Sequence, residues 1–369
     1  MRILVVHSCQ INAFPPVRNL IEILLRNNHE VTVVTRDDSG IYLAAAPNLK
    51  YIVLPEGGSG KFSAGVAYLK KLEVLKSTVE REMQSCDLLW TTTDSTVRDL
   101  GNLVFKYKHV MQLMELIEDI PLIPGVPYIQ ANLKKYAKKA YKVVVPEYNR
   151  AHIQKTWWGL EKVPTVLPNK MTLSTIDTVP KEIQEILSEI KNENRKIILY
   201  QGVFHSDRDL DLYAQAAEKL KDEYCFYIMG RDMPYRRELC NKYPYIKYVP
   251  FIKPPFHLLV TKLAYIGLLP YKAAKSQHYS VLNALYCAPN KIYEYAACGL
   301  PMIGSDVPGL TYPFSTNDIG YICKDKKVEE IINIVRTIEC RYDEMVSNCL
   351  KFYSKTNMDT IVEKILRES

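Results

Sequence analysis

The stretch Ala288-Pro289-Asn290-Lys291-Ile292-Tyr293-Glu294-Tyr295-Ala296-Ala297-Cys298-Gly299-Leu300-Pro301 gathers residue types that bind charge, at a spacing that describes a helix closed at both ends. Asn290 suits the N-cap, and Gly299 can take the left-handed position that ends a helix before Pro301. The free backbone N–H groups and the dipole of the first turn make an anion site, and Lys291 adds a positive charge there. Glu294 lies three residues on, on the same face, where a carboxylate could accept two hydrogen bonds from vicinal hydroxyls. On physics alone, a surface Lys–Glu pair on an amphipathic helix explains the same residues.

Further polar groups fall where strands are expected to end: His7 and Ser8 after the first, and Glu115, Glu118 and Asp119 after the run 110–114. Strand ends are where the chemistry of an open α/β sheet converges. A structural role explains each of them too, and His7 reads as a polar residue closing the first loop. Asp207-Arg208-Asp209-Leu210-Asp211 contains Asp-x-Asp twice, a metal-holding spacing that a helix N-terminus explains more simply. No metal requirement is expected. Glu56-Gly57-Gly58-Ser59-Gly60-Lys61 lacks the second half of a phosphate-binding loop and reads as a flexible loop. Trp157, Trp158 and Tyr148 read as packing anchors.

The elements that must position these groups follow from the apolar rhythm. Short β-branched runs at 2–7, 30–35, 51–54, 88–92, 110–114, 143–145 and 165–167 alternate with helical patterns at 17–27, 64–84, 96–107, 129–141 and 149–157. Runs without polar alternation are what buried parallel strands require. The rhythm breaks near 168–193 in a polar stretch with Pro180 and a charged helix, and restarts with runs at 197–200, 225–229, 246–249, 266–269, 302–304 and 320–322. Intervening helices are expected near 210–221, 235–242, 256–262, 291–297 and 328–340. The division expected is an N-terminal Rossmann-like domain at 1–172, a linker at 173–195, a second Rossmann-like domain at 196–350, and a C-terminal helix within 351–369 that packs back across the junction.

The pattern Pro-Asn-Lys-x-x-Glu-Tyr-x-Ala-x-Gly-Leu-Pro at 289–301 resembles the donor-site helix of the GT-B glycosyltransferases called glycosyl transferases group 1, in the variant of bacterial surface-polysaccharide assembly. The resemblance continues in order through Tyr200-Gln201-Gly202, Arg208, Met229-Gly230 and Pro250-Phe251. It implies an α/β fold of two Rossmann-like domains facing across a cleft, and transfer of a sugar from a nucleoside diphosphate, most simply UDP. It further implies that Gly202 and Arg208 touch the diphosphate, that the loop bearing Phe251 holds the base, and that Glu294 binds ribose. Arg231, beside Gly230, and Asn290 and Lys291 at the helix start join this donor set. Tyr279 and Asn283, in the polar stretch 272–283 with Gln277 and His278, are expected in a loop beneath the diphosphate, with a purely structural loop as the alternative.

Many relatives carry a second Glu eight residues before the ribose-binding one, where this chain has Tyr286. Arg208 and Lys291 are expected to stabilise the departing diphosphate. Glu115 would serve as general base if the reaction inverts, and diphosphate oxygens would do that work if it retains. His7, Ser8 and Glu118 are expected on the acceptor side, toward a lipid-linked or saccharide hydroxyl. No cofactor is implied. The rival readings are a nucleotide-sugar 2-epimerase and a nucleotide-binding subunit without turnover.

Composition bounds the partners. The 369 residues carry 48 Lys+Arg against 41 Asp+Glu, a net charge of +7, with 22 basic and 16 acidic residues in 1–172. Lys134, Lys135, Lys138, Lys139 and Lys142 lie in a helix expected at 128–141. Its basic face reads either as solvated or as a contact for anionic lipid or a phosphorylated acceptor, with nucleic acid not expected. Nine scattered cysteines without a Cys-x-x-Cys pair, and the lack of a signal-peptide pattern, point to a reduced cytoplasmic protein, at most resting on the inner membrane face.

Overall fold

The first strand, β1 (Arg2–His7), is an interior strand of a parallel sheet, and its Ile3–Val6 are wholly buried, as covering on both faces requires. The computed structural model describes the chain apart from residues 12–13, 37–45, 56–63, 174–175, 177, 206–207, 275–278 and 368–369. The chain divides into two compact units.

In the first unit β1 is followed by α1 (Pro15–Arg26), β2 (Glu30–Thr35), β3 (Leu49–Val53), α2 (Ala64–Glu82), β4 (Leu88–Thr91), α3 (Asp94–Leu100) and β5 (His109–Gln112). Then come β6 (Pro121–Ile123), β7 (Val126–Gln130), α4 (Leu133–Ala137), β8 (Lys142–Val145), α5 (Tyr148–Trp158) and β9 (Thr165–Val166). Among the described residues seven strands form a parallel sheet in the order β3-β2-β1-β4-β5-β8-β9. The order reverses between β1 and β4, so the carboxyl ends of those strands are the topological switch point where such sheets bind ligands.

The second unit holds α6 (Lys181–Lys191), β10 (Lys196–Gln201), α7 (Asp211–Lys219), β11 (Tyr224–Gly230), α8 (Pro234–Lys242), β12 (Lys247–Pro250), α9 (His257–Thr261) and β13 (Ile266–Leu269). After α10 (Val281–Leu285), whose residues up to Asn283 are counted with the first unit, it continues with α11 (Asn290–Ala297), β14 (Met302–Ser305), α12 (Pro308–Asn317), β15 (Gly320–Cys323), α13 (Val328–Cys340) and α14 (Tyr342–Lys355). Its parallel sheet runs β12-β11-β10-β13-β14-β15, with the switch point between β10 and β13. The last helix, α15 (Met358–Arg367), belongs to the first unit. There Arg26 grips Asp359 with two 2.8 Å bonds, and His29 Nε2 meets Glu363 at 2.7 Å.

The structure differs from the sequence expectations in four places. The helix expected over 128–141 is a hairpin, β6–β7, followed by the five-residue α4. Pro121, Pro127 and the left-handed Gly125 (φ 84°) favour the turn, and the Asp119 carboxylate then accepts from the N–H groups of Asn132 and Leu133 to open α4. The charged helix expected within the linker 173–195 is α6, but it belongs to the second unit, where Ile190 packs with Ile197 and Leu199 in the core. Near the C-terminus the division falls after Thr356, so α14 stays with the second unit. Finally, α12 escapes a pattern search because Pro308 and Pro313 sit within it; Pro308 takes the first turn, where a missing N–H costs nothing.

Candidate functional site

The second unit's candidate site is built on α11 and the end of β10. Pro289 occupies the N-cap (φ −71°, ψ 133°) and Asn290 is the first helical residue, with no side-chain cap. The expectation of Asn290 as the cap is corrected by one position, because Pro289 already supplies the extended cap conformation. The far end is as expected: Gly299 is left-handed (φ 66°), its N–H bonds Ala296, and the Leu300 N–H reaches back to the Tyr295 carbonyl.

What fixes α11 on the sheet is Tyr295, which is fully buried beneath Gly267 of β13; a Cβ at Gly267 would stand 2.6 Å from its ring. Its hydroxyl accepts from the Gln201 N–H at 3.2 Å and lies 3.3 Å from the Leu268 carbonyl. That anchoring sets the rotation of the helix, so Lys291 and Glu294 both face the end of β10. Lys291 lies across Gly202 (φ +145°), where a Cβ would meet Lys291 Cε at 2.5 Å. Burial lowers the Lys291 pKa from its ordinary value, Glu294 opposes that shift, and the nearby Arg208 cation adds to it. Arg208, in the turn before α7, stacks its guanidinium 4.4 Å from the Tyr271 ring centre. Lys291 thus lies against the left-handed Gly202, with the Arg208 cation close enough to act on its charge.

Glu294 is buried (7% exposed). Its Oε2 accepts from Gln201 Nε2 at 2.6 Å and lies 3.6 Å from His257 Nε2. Burial works against ionisation, yet His257, Lys291 and the Gln201 amide together hold the carboxyl below the usual range. On the neighbouring strand ends, Arg231 follows β11 and Phe251 follows β12; the Arg231 guanidinium lies 5.1 Å from the ring centre of the exposed Phe251. Asp211, in the first turn of α7, accepts from the Tyr243 hydroxyl at 3.1 Å and from Lys242. Asp207, Gln277, His278 and the loop 56–61 lie outside the described residues.

Tyr279 and Asn283 group with the first unit. Both are held by the first unit: Tyr279 packs against its core, and the Asn283 side-chain oxygen accepts from the Leu116 N–H at 2.8 Å. The buried Arg150 donates to the Asn283 and Met114 carbonyls. The loop is drawn to these partners because Arg150 must satisfy its donors inside the core.

At the first unit's switch point, His7 Nδ1 lies 2.8 Å from Thr92 Oγ1, joining the ends of β1 and β4. Ser8 donates its N–H to Thr96 Oγ1 at 3.1 Å, and its hydroxyl lies 3.0 Å from the same atom. Glu115, beyond β5, lies 3.6 Å from Arg150. Glu118 is exposed, and its carbonyl accepts from the Trp158 indole. Asp94, a carboxylate the sequence reading passed over, opens α3; burial pushes its carboxyl up and the Glu115 charge adds to this. Gln201, His257 and Thr261 were missed as well. The one signal was His257 and Thr261 at i, i+4 in an otherwise apolar His-Leu-Leu-Val-Thr turn, a spacing that shares one face.

Residues 195–339 match the family model described as glycosyl transferases group 1. No curated protein matches the chain. Among solved structures it is similar to a glycosyltransferase from Rickettsia africae (12% identity, TM-score 0.68, covering 100% of this chain and 99% of that one). It is also similar to a sucrose-phosphate synthase from Thermosynechococcus elongatus (14%, 0.71, 100% and 98%) and to Anabaena HepE in complex with UDP and glucose (14%, 0.69, 99% and 98%).

Proposed function

We propose that the chain is a glycosyltransferase whose second unit binds a nucleoside diphosphate sugar, most simply UDP-linked, a reading supported by the glycosyl transferases group 1 match at 195–339 and by the two parallel sheets of the fold. The observation that carries this reading is Lys291 lying against Gly202 within reach of the Arg208 charge, with the buried Glu294 carboxylate one turn further along α11. Two cations that raise each other's electrostatic energy are relieved by an anion between them, and a diphosphate supplies two negative groups. The first turn of α11, opening at Asn290, adds its N–H groups. Glu294 takes the ribose hydroxyls, while Phe251 and Arg231 flank the base.

As the glycosidic bond breaks, charge develops on the diphosphate, and Arg208 and Lys291 stabilise it there. The acceptor hydroxyl belongs to a lipid-linked or saccharide molecule in surface-polysaccharide assembly, met by the strand ends that carry His7, Ser8 and Glu118. Glu115 takes the hydroxyl proton if the anomeric configuration inverts; a diphosphate oxygen takes it if the configuration is retained.

The reading extends to a cytoplasmic protein resting on an anionic membrane. No helix among the described residues is long and apolar enough to cross one. Supporting the contact, the β6–β7 hairpin exposes Leu122, Ile123, Ile129 and Tyr128, the last 92% accessible, and Lys134, Lys135, Lys138, Lys139 and Lys142 follow directly. Near that stretch, a cavity of about 370 Å³ is lined by Lys138, Lys142 and Lys162.

The deciding experiment is calorimetric titration with UDP, GDP, ADP and dTDP and their common sugars, with and without EDTA, alongside detection of nucleotide released in the presence of acceptor extracts. Metal-independent binding of one nucleotide, weakened by Arg208→Ala and Lys291→Ala with little change in Tm, supports the reading. Absence of binding by every nucleotide overturns it.

A further inference from the structure

We infer that Gln201, held in place by Thr261, is the positioning residue that leaves one oxygen of Glu294 held by the protein and the other open for a ligand hydroxyl; the inference rests on the donor-site reading above. A carboxamide can sit either way round, so its neighbours must decide which end faces Glu294. Thr261 Oγ1 lies 2.6 Å from Gln201 Oε1 and 3.1 Å from the His257 carbonyl oxygen, and its single proton can go to only one of them, so the orientation of the amide is decided at its other end. The Glu294 carboxylate can only accept, so the amide nitrogen is turned to its Oε2 at 2.6 Å, and the amide oxygen then faces Thr261, whose hydroxyl donates to it. The reverse orientation would set the amide oxygen against a carboxylate oxygen at that distance. Both ends of the amide thus agree on one geometry.

The relay is buried: Thr261 is 0% exposed, Gln201 3% and Glu294 7%. In such surroundings each hydrogen bond is stronger and each lost one costs more than at the surface. Gln201 is also fixed through its backbone, since its N–H donates to the Tyr295 hydroxyl beneath the next residue of α11. With Oε2 engaged by Gln201 and faced by His257 Nε2, Oε1 accepts no hydrogen bond from the described residues. Oε1 is the atom left to meet a sugar diol. A protein that holds a buried carboxylate so firmly should discriminate sharply between nucleotides that carry the matching hydroxyl and those that lack it.

The test measures, by calorimetry, the affinities of UDP and GDP and of their 2′-deoxy and 3′-deoxy forms for the wild-type chain, Gln201→Leu, Thr261→Val and Thr261→Ser. The expected wild-type preference for the ribonucleotide over one deoxy form is about tenfold or more. Gln201→Leu and Thr261→Val should bring that ratio below about threefold, and Thr261→Ser, which keeps the hydroxyl, should restore it. Melting curves taken alongside separate this loss from general unfolding. A wild-type ratio preserved in folded Gln201→Leu and Thr261→Val overturns the positioning role and leaves the donor site standing. Failure of the wild-type chain to bind either nucleotide overturns the donor site and the positioning role together.

Discussion

Lys291 crosses the face of Gly202 so closely that a single methyl group on that glycine would stand 2.5 Å from Lys291 Cε. The strand end and the helix start are therefore matched to each other, and the consequence is measurable. Gly202→Ala should displace the lysine and strain a backbone at φ +145°, a cost of about 1–3 kcal/mol. Nucleotide affinity should fall about tenfold or more, as measured by titration. In a Lys291→Ala background the clash is gone, so the extra stability loss from Gly202→Ala should shrink toward the backbone strain alone, a non-additivity that denaturant unfolding of the four variants checks.

Because burial and the Arg208 cation lower the Lys291 pKa below its ordinary 10.5, the ammonium loses its proton earlier on the alkaline side than a surface lysine would. Binding of an anion to that charge is lost as pH rises through the lowered value. UDP affinity titrated from pH 7 to 10 should show this fall. Lys291→Arg, which stays charged throughout the range, should flatten it.

Glu115→Gln removes a base without removing bulk. For an inverting reaction kcat should drop by about 100-fold or more while KM for the nucleotide sugar stays within about twofold. For a retaining reaction kcat should stay nearly unchanged. Asp94→Asn, measured in parallel, shows whether the neighbouring carboxylate with the raised pKa shares the task.

His109, on β5, is buried and held neutral, its pKa pushed down to about 3 by burial, while its Nε2 meets Thr91 Oγ1 at 2.8 Å. The unfolded chain takes up a proton near pH 6.5, which the folded chain refuses until about 3. Between those values the group makes stability fall with falling pH, by at most about 1.4 kcal/mol per unit. The loss of unfolding free energy between pH 7 and 4.5, read from urea curves, should be smaller in His109→Gln by up to about 2–3 kcal/mol.

Much of the architecture was legible in the order of residues. The buried runs that became β1, β10 and β11 are continuous because parallel strands are covered on both faces, and that pattern needs no neighbour to be recognised. The helix 290–297 was readable for the same reason: Gly299 ends it through bonds within five residues, and Lys291 and Glu294 share a face by helical spacing alone.

Only the tertiary structure decided what those side chains meet. Gln201 and Glu294 are 93 positions apart, Gln201 and Thr261 60, and neither separation leaves a mark in a local pattern. The same holds for the loop carrying Tyr279 and Asn283, drawn to the first unit by Arg150 from 133 positions away. In the hairpin at 121–130 the prolines and Gly125 outweighed the lysine spacing that suggested a long helix, since Asp119 could cap a short one from across the turn. The sequence therefore determined the elements and the charged face of α11, because spacing within an element is a local property. Which buried partners orient that face depended on parallel strands bringing distant residues to one sheet end, a long-range property that only the folded chain has.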